Sequence, residues 1–136
     1  MKSSKEILKL YKNLLEISIK EFKNLVESGE ILYSQSNEPW KLRIFLCDGS
    51  FIDIHYSINN NYSYHWDRQL VDKKIYRHDN APHSRWRTIK SFPKHFHNGS
   101  EDNVVESDIS DDPEIALKEF LNFVEKEIKR GDQKVK

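Results

Sequence analysis

The residues best suited to chemistry crowd into one stretch, Tyr62 to His97, which holds five of the chain's six histidines: His65, His78, His83, His95 and His97. Cations and flat aromatics are interleaved with them, so the three residue types that bind or cleave phosphodiesters occur together. Cleaving RNA requires a base for the 2′-hydroxyl proton, an acid for the leaving 5′-oxygen and cations for the charged transition state. Two imidazoles with an ordinary pKa near ~6.5 can fill the first two roles at neutral pH, together contributing roughly 10⁴-fold. His83, His95 and His97 are the candidate acid–base set of a metal-independent ribonuclease, with Asp79 orienting one ring. Arg77, Arg85, Arg87 and Lys94 are candidate phosphate contacts, and Tyr64, Trp66 and Trp86 candidate base-stacking rings. Asp79 and Asn80 also suit a plain turn, held by side-chain bonds to the backbone.

Two other chemistries fit the same residues. His95 and His97, in His-x-His spacing, could join His83 or Asp79 as three ligands for zinc or a similar ion. Alternatively, a basic aromatic surface can bind nucleic acid or a partner protein without catalysis.

Composition narrows the setting. A chain of 136 residues suits one domain, here 1–130 with a disordered tail over 131–136. No apolar run is long enough to cross a membrane, and the N-terminus, with charges scattered through its apolar residues, is unlike a signal peptide. The single Cys47 cannot form an internal disulfide, which fits a reducing cytoplasm, and its position suggests a small buried hydrophobe. The net charge of +0 hides segregation: His65–His97 carries eight Lys/Arg against three Asp, whereas Asn98–Glu119 carries eight acids against Lys118 alone. A basic block beside an acidic one suggests either a polyanion site with a repelling or covering neighbour, or two surfaces that pair internally.

The elements that must position these residues form an α+β pattern. Ser3 and Glu6 have capping-box spacing, and Ile7, Leu10, Tyr11, Leu14, Leu15, Phe22, Leu25 and Val26 predict a helix over 3–28 that ends at Gly29. Residues 30–39 read as a connector. Alternating apolar residues place strands over 42–46 and 52–58, with Asp48-Gly49 between them. A three-residue loop, Cys47-Asp48-Gly49 with Gly49 left-handed, sets Ile44 opposite Ile52 and gives both strands one buried face. A turn at Asn59-Asn60-Asn61, a strand alternating at Tyr62, Tyr64 and Trp66, and a strand over 74–79 follow. A short extended piece over 89–92 leads to His95 and His97, which would share a face if extended. Residues 98–111 read as a loop. Asp112-Pro113 then opens a second helix with apolar Ile115, Leu117, Phe120, Leu121, Phe123, Val124 and Ile128. The expected fold is an antiparallel meander of about four to five strands packed against an N-terminal and a C-terminal helix.

The run His78-Asp79-Asn80-Ala81-Pro82-His83, the later Phe92-Pro93-Lys94-His95-Phe96-His97 and the upstream Tyr64-His65-Trp66 resemble the TumE-type toxins of prokaryotic toxin–antitoxin modules. The likeness spans about residues 40–125. Where that family's pattern has an aromatic, a second histidine and a cation, this chain has His78, Ser84 and Phe96. The resemblance implies a toxin whose partner is an antitoxin with a DNA-binding helix-turn-helix domain. RNA is the expected target. No cofactor and no membrane association are expected, and self-association into a homo-oligomer is left open.

Overall fold

A computed structural model of the chain describes residues 2–135. Its order is α1 (Ser4–Glu21), β1 (Val26–Tyr33), β2 (Pro39–Leu46), β3 (Phe51–Tyr56), β4 (Tyr62–Arg68), β5 (Lys74–Asp79), β6 (His95–Gly99), β7 (Val104–Glu106) and α2 (Pro113–Val135), with a short 3₁₀ turn at Ser84–Trp86 between β5 and β6. The strands form one seven-stranded sheet in sequence order, each antiparallel to the next. The α+β meander is as expected, but it has seven strands rather than four or five. No described helix is long and apolar enough to cross a membrane.

The local sequence signals explain most of this frame. Ser3 and Glu6 form the reciprocal capping box at the start of α1. Asp112 accepts from the backbone N–H groups of Glu114 and Ile115 at the start of α2. Gly49 has φ +90°, Leu42 pairs with Ile54 and Ile44 with Ile52, so the three-residue loop sets the register. Asn60 takes the left-handed conformation in the next turn.

Both helices cover the same face of the sheet. Ile7, Tyr11 and Leu14 of α1 join Leu42, Ile44, Ile52 and Ile54 in one core, with Leu117, Phe120, Leu121 and Val124 of α2 beside them. Phe120 packs against Tyr64, while Phe123 meets Trp66, Tyr76 and Phe96 edge-on. Burying each large aromatic contributes about 2–3 kcal/mol, so these contacts fix the angle of α2. The opposite face carries polar side chains, including Lys41, Arg43, Asp53, His65 and Arg77, tied across strands by Asp53 to Lys41 and Arg43 and by Arg77 to His65.

Several sequence expectations are corrected. α1 ends at Glu21 rather than 28, and residues 26–33 form β1 rather than a helix end and connector. The chain turns at Phe22, whose carbonyl accepts from the N–H groups of both Leu25 and Val26. Those two residues are buried as a further helical turn would have buried them, so their spacing suited either element. Gly29 is not a left-handed cap. A Cβ there would lie 2.4 Å from Leu15 Cδ1, so the glycine lets β1 pass close beneath α1. Residues 89–92 are turns rather than extended chain. β7 forms within the stretch expected to be a loop. Cys47 and Ile115 are exposed, not buried. α2 continues through Gly131 to Val135, and residue 136 of the expected tail lies outside the described residues.

Candidate functional site

The strand periodicity of two sends alternate residues of β5 and β6 to the uncovered face. His95 pairs with Asp79 and His97 with Arg77 in the ladder, so the four side chains stand in a two-by-two block. The segment between the strands folds back over this block, and Trp86 lies 6.1 Å from the His95 ring and 6.0 Å from the His97 ring, centroid to centroid. On the other side, the β6–β7 turn brings Glu101 over Arg77. The result is an open cleft of about 340 Å³, lined by Arg77, Asp79, His83, Arg85, Trp86, His95 and His97 and rimmed by Ser84, Glu101 and Asp102.

The hydrogen bonds define the state of each ring. His97 is buried, and its Nδ1 lies 2.9 Å from the Glu101 backbone carbonyl, which can only accept. Nδ1 therefore carries the proton, and the lone pair sits on Nε2. That Nε2 is 3.2 Å from Arg77 Nη2, which donates to it, and 4.0 Å from Asp79 Oδ2. Burial lowers the pKa of His97, and the Arg77 charge adds to this, while the bond to the Glu101 carbonyl opposes it.

His95 is 1% exposed, with Nδ1 3.0 Å from the Pro93 carbonyl and Nε2 3.1 Å from Asp79 Oδ1. A neutral imidazole has one N–H and cannot donate to both. A second proton, or another cation at Nε2, completes this arrangement. Asp79 is fixed in turn by the Ala81 backbone N–H, which donates to Oδ1 at 3.0 Å. One ligand atom each from Asp79, His95 and His97 lies within 4.8 Å of the others, a grouping that could hold a metal ion.

Arg77 ties the block together. Its two terminal nitrogens donate to the two Glu101 carboxylate oxygens at 2.7 and 2.8 Å, and its Nε reaches Asp79 Oδ2 at 3.4 Å. The guanidinium holds the Glu101 carboxyl below the usual carboxylate range.

Of the sequence candidates, the cleft thus gathers Asp79, His83, His95, His97, Arg77, Arg85 and Trp86. Others lie elsewhere. Tyr64 and Trp66 are fully buried on the helix side of the sheet, which removes them as base-stacking surfaces. Lys94 turns away to the Ile109 carbonyl and Asp111. Arg87 is exposed, donates to the Ser84 carbonyl and does not line the cleft. In the metal alternative, Asp79 rather than the exposed His83 completes the grouping. Sequence reasoning missed Glu101 and His65. His65 shares the parity of Ser63 and Asp67 in β4, which puts it 3.5 Å from Arg77 Nη1, and burial lowers its pKa. The parity and the neighbouring strand over 74–79 were legible, but the register that sets His65 opposite Arg77 was not.

His78 and Phe96, two departures from the resembled pattern, pair across β5 and β6 and stack at 4.1 Å on the core face. Both rings lie on the face opposite the cleft.

A family model described as Toxin TumE matches residues 15–128. No curated protein and no solved structure matches the chain.

Proposed function

We propose that this chain, which belongs to the TumE toxin family, exerts its toxicity by cleaving RNA at the β5–β6 cleft. The observation that carries this reading is the inequivalence of two adjacent imidazoles. The Nε2 of His97 offers a lone pair, whereas the Nε2 of His95 lies at hydrogen-bond distance from the Asp79 carboxylate, which can only accept. The ring centroids are 5.1 Å apart, close enough for both rings to act at one phosphate.

In this scheme His97 takes the proton from the ribose 2′-hydroxyl, whose oxygen attacks phosphorus. His95 gives a proton to the departing 5′-oxygen as the P–O bond breaks. The products are a 2′,3′-cyclic phosphate and a 5′-hydroxyl end. Asp79 orients His95, and Arg77 balances the charge of the pentacoordinate phosphorus. Arg85 and His83 reach the backbone phosphates at the cleft rim, and Trp86 offers the ring on which a base stacks. The antitoxin partner, with a helix-turn-helix DNA-binding domain, and a cytoplasmic site of action belong to the same proposal.

Expression of the wild-type chain should arrest growth, and the purified protein should release cyclic-phosphate ends from labelled RNA without added metal. His97→Ala and His95→Ala should each lower cleavage by roughly 10²–10⁴-fold and abolish arrest. Growth arrest that persists in both variants would overturn the assignment. RNA bound but left intact by the wild type would convert it into a binding module.

A further inference from the structure

We infer that Asp79, His95 and His97 form a binding site for a divalent first-row transition-metal ion, and that its occupancy silences the cleavage proposed above. The second half rests on the ribonuclease reading; the first does not.

The argument starts from acceptors. At His95, Nδ1–H donates to the Pro93 carbonyl, leaving Nε2 to face Asp79. At His97, Nδ1–H donates to the Glu101 carbonyl, leaving the Nε2 lone pair to face the same carboxylate. Two imidazole Nε2 atoms and a carboxylate thus converge; Arg77 now donates to one of them, and a single metal ion in its place satisfies all three. Backbone carbonyls behind both rings are the outer-shell arrangement that fixes imidazoles as ligands. It sets the tautomer and aims Nε2 before any metal arrives.

The distances suit a small ion. Bonds of about 2.0–2.1 Å place tetrahedral ligand atoms roughly 3.3 Å apart. Asp79 lies 3.1 Å from His95 Nε2 and 4.0 Å from His97 Nε2, so that edge length falls between them. Two imidazoles and one carboxylate form a borderline donor set, suited to zinc and its neighbours rather than to magnesium or calcium. The fourth position opens into the cleft. Arg77 yields only its bond to His97, because Glu101 holds the guanidinium at both terminal nitrogens.

Occupancy and metal-free catalysis exclude each other. The Nε2 atoms that would accept and donate protons are the atoms that would bind the ion. A bound ion therefore removes both the base and the acid.

The full chain, stripped with EDTA, should be titrated with ZnCl₂ by calorimetry and with CoCl₂ by visible absorption. One Zn²⁺ per chain with micromolar or tighter affinity is expected, together with the d–d bands of cobalt in a low-coordinate site. His95→Ala and His97→Ala should each weaken binding at least tenfold, with His83→Ala unchanged. No binding below ~100 µM, or loss on His83→Ala with the triad variants unaffected, overturns the site. Zn²⁺ should suppress RNA cleavage and EDTA restore it; stimulation by Zn²⁺ overturns the silencing. Should no form cleave RNA, the ribonuclease reading falls while the titrations still decide the metal site.

Discussion

His78 shows how much a single ring can depend on the face it occupies. One residue from Asp79, it points the other way, stacks on Phe96, meets Phe120 edge-on and bonds Ser107 Oγ through Nδ1. Burial, with the nearby Lys94 and His95 charges, pushes its pKa down from 6.5 to about 3. The folded state therefore prefers the neutral ring, and the unfolded chain binds the proton first. Its contribution is complete above about pH 6.5 and is lost as pH falls toward 3, at up to ~1.4 kcal/mol per unit. Urea midpoints at pH 7 and pH 5 should fall further apart for the wild type than for His78→Phe, which keeps the stacking without the titration. Equal spacing would show that the ring is not held neutral. At this scale the sequence was partly legible. Alternation alone put His95 and His97 on one face and Tyr64 and Trp66 on one face, but not which face was wet. Tyr and Trp suit a stacking platform and a core equally well, and only the docking of α2 decides between them.

The β6–β7 turn is the element through which the acidic half of the chain reaches the basic half. Gly99, at φ +91°, bends the chain so that Glu101 folds back over Arg77. The Glu101 side chain is 59% exposed, so the pair is screened and adds little to stability. Its bidentate geometry occupies the guanidinium edge that a phosphate would use. Glu101→Gln should therefore leave the fold intact and raise apparent affinity for RNA several-fold, read as a lower KM in a cleavage assay or a lower Kd by fluorescence anisotropy. The backbone carbonyl that fixes His97 is unaffected by that substitution. An unchanged or weaker affinity would mean that the carboxylate does not compete. The charge segregation thus carried real information, since Arg77–Glu101 and Lys94–Asp111 join the two blocks. The strands at either end of the sheet were harder to read. β7 has three residues, too short to show alternation. β1 was masked by Leu25 and Val26, whose spacing continues the stripe of α1.

The whole molecule separates two kinds of work across one layer of backbone. Helices, core aromatics and aliphatic strand residues lie on one side, with His78 among them; His95, His97, Asp79 and Arg77 lie on the other. Asp79→Asn and His97→Ala should shift the melting temperature by only a few degrees while removing activity. Trp66→Ala, which empties a fully buried site, should cost about 3–5 kcal/mol and yield little folded protein. Comparable losses from both sets would show that the cleft residues brace the sheet. The centre of the meander was legible because two of its hairpins announce themselves locally, through Asp48-Gly49, the Asn59–Asn61 turn and the alternation of the strands they join.

This partition has a genetic corollary. A copy of the gene crippled by one change in the cleft would still produce a well-formed body with an unaltered outer contour. An antitoxin that grips this outer contour would continue to be captured by the dead toxin. Inactive alleles would then serve as sponges, and a cell carrying them would feel their presence through its neighbours' toxicity rather than through their own.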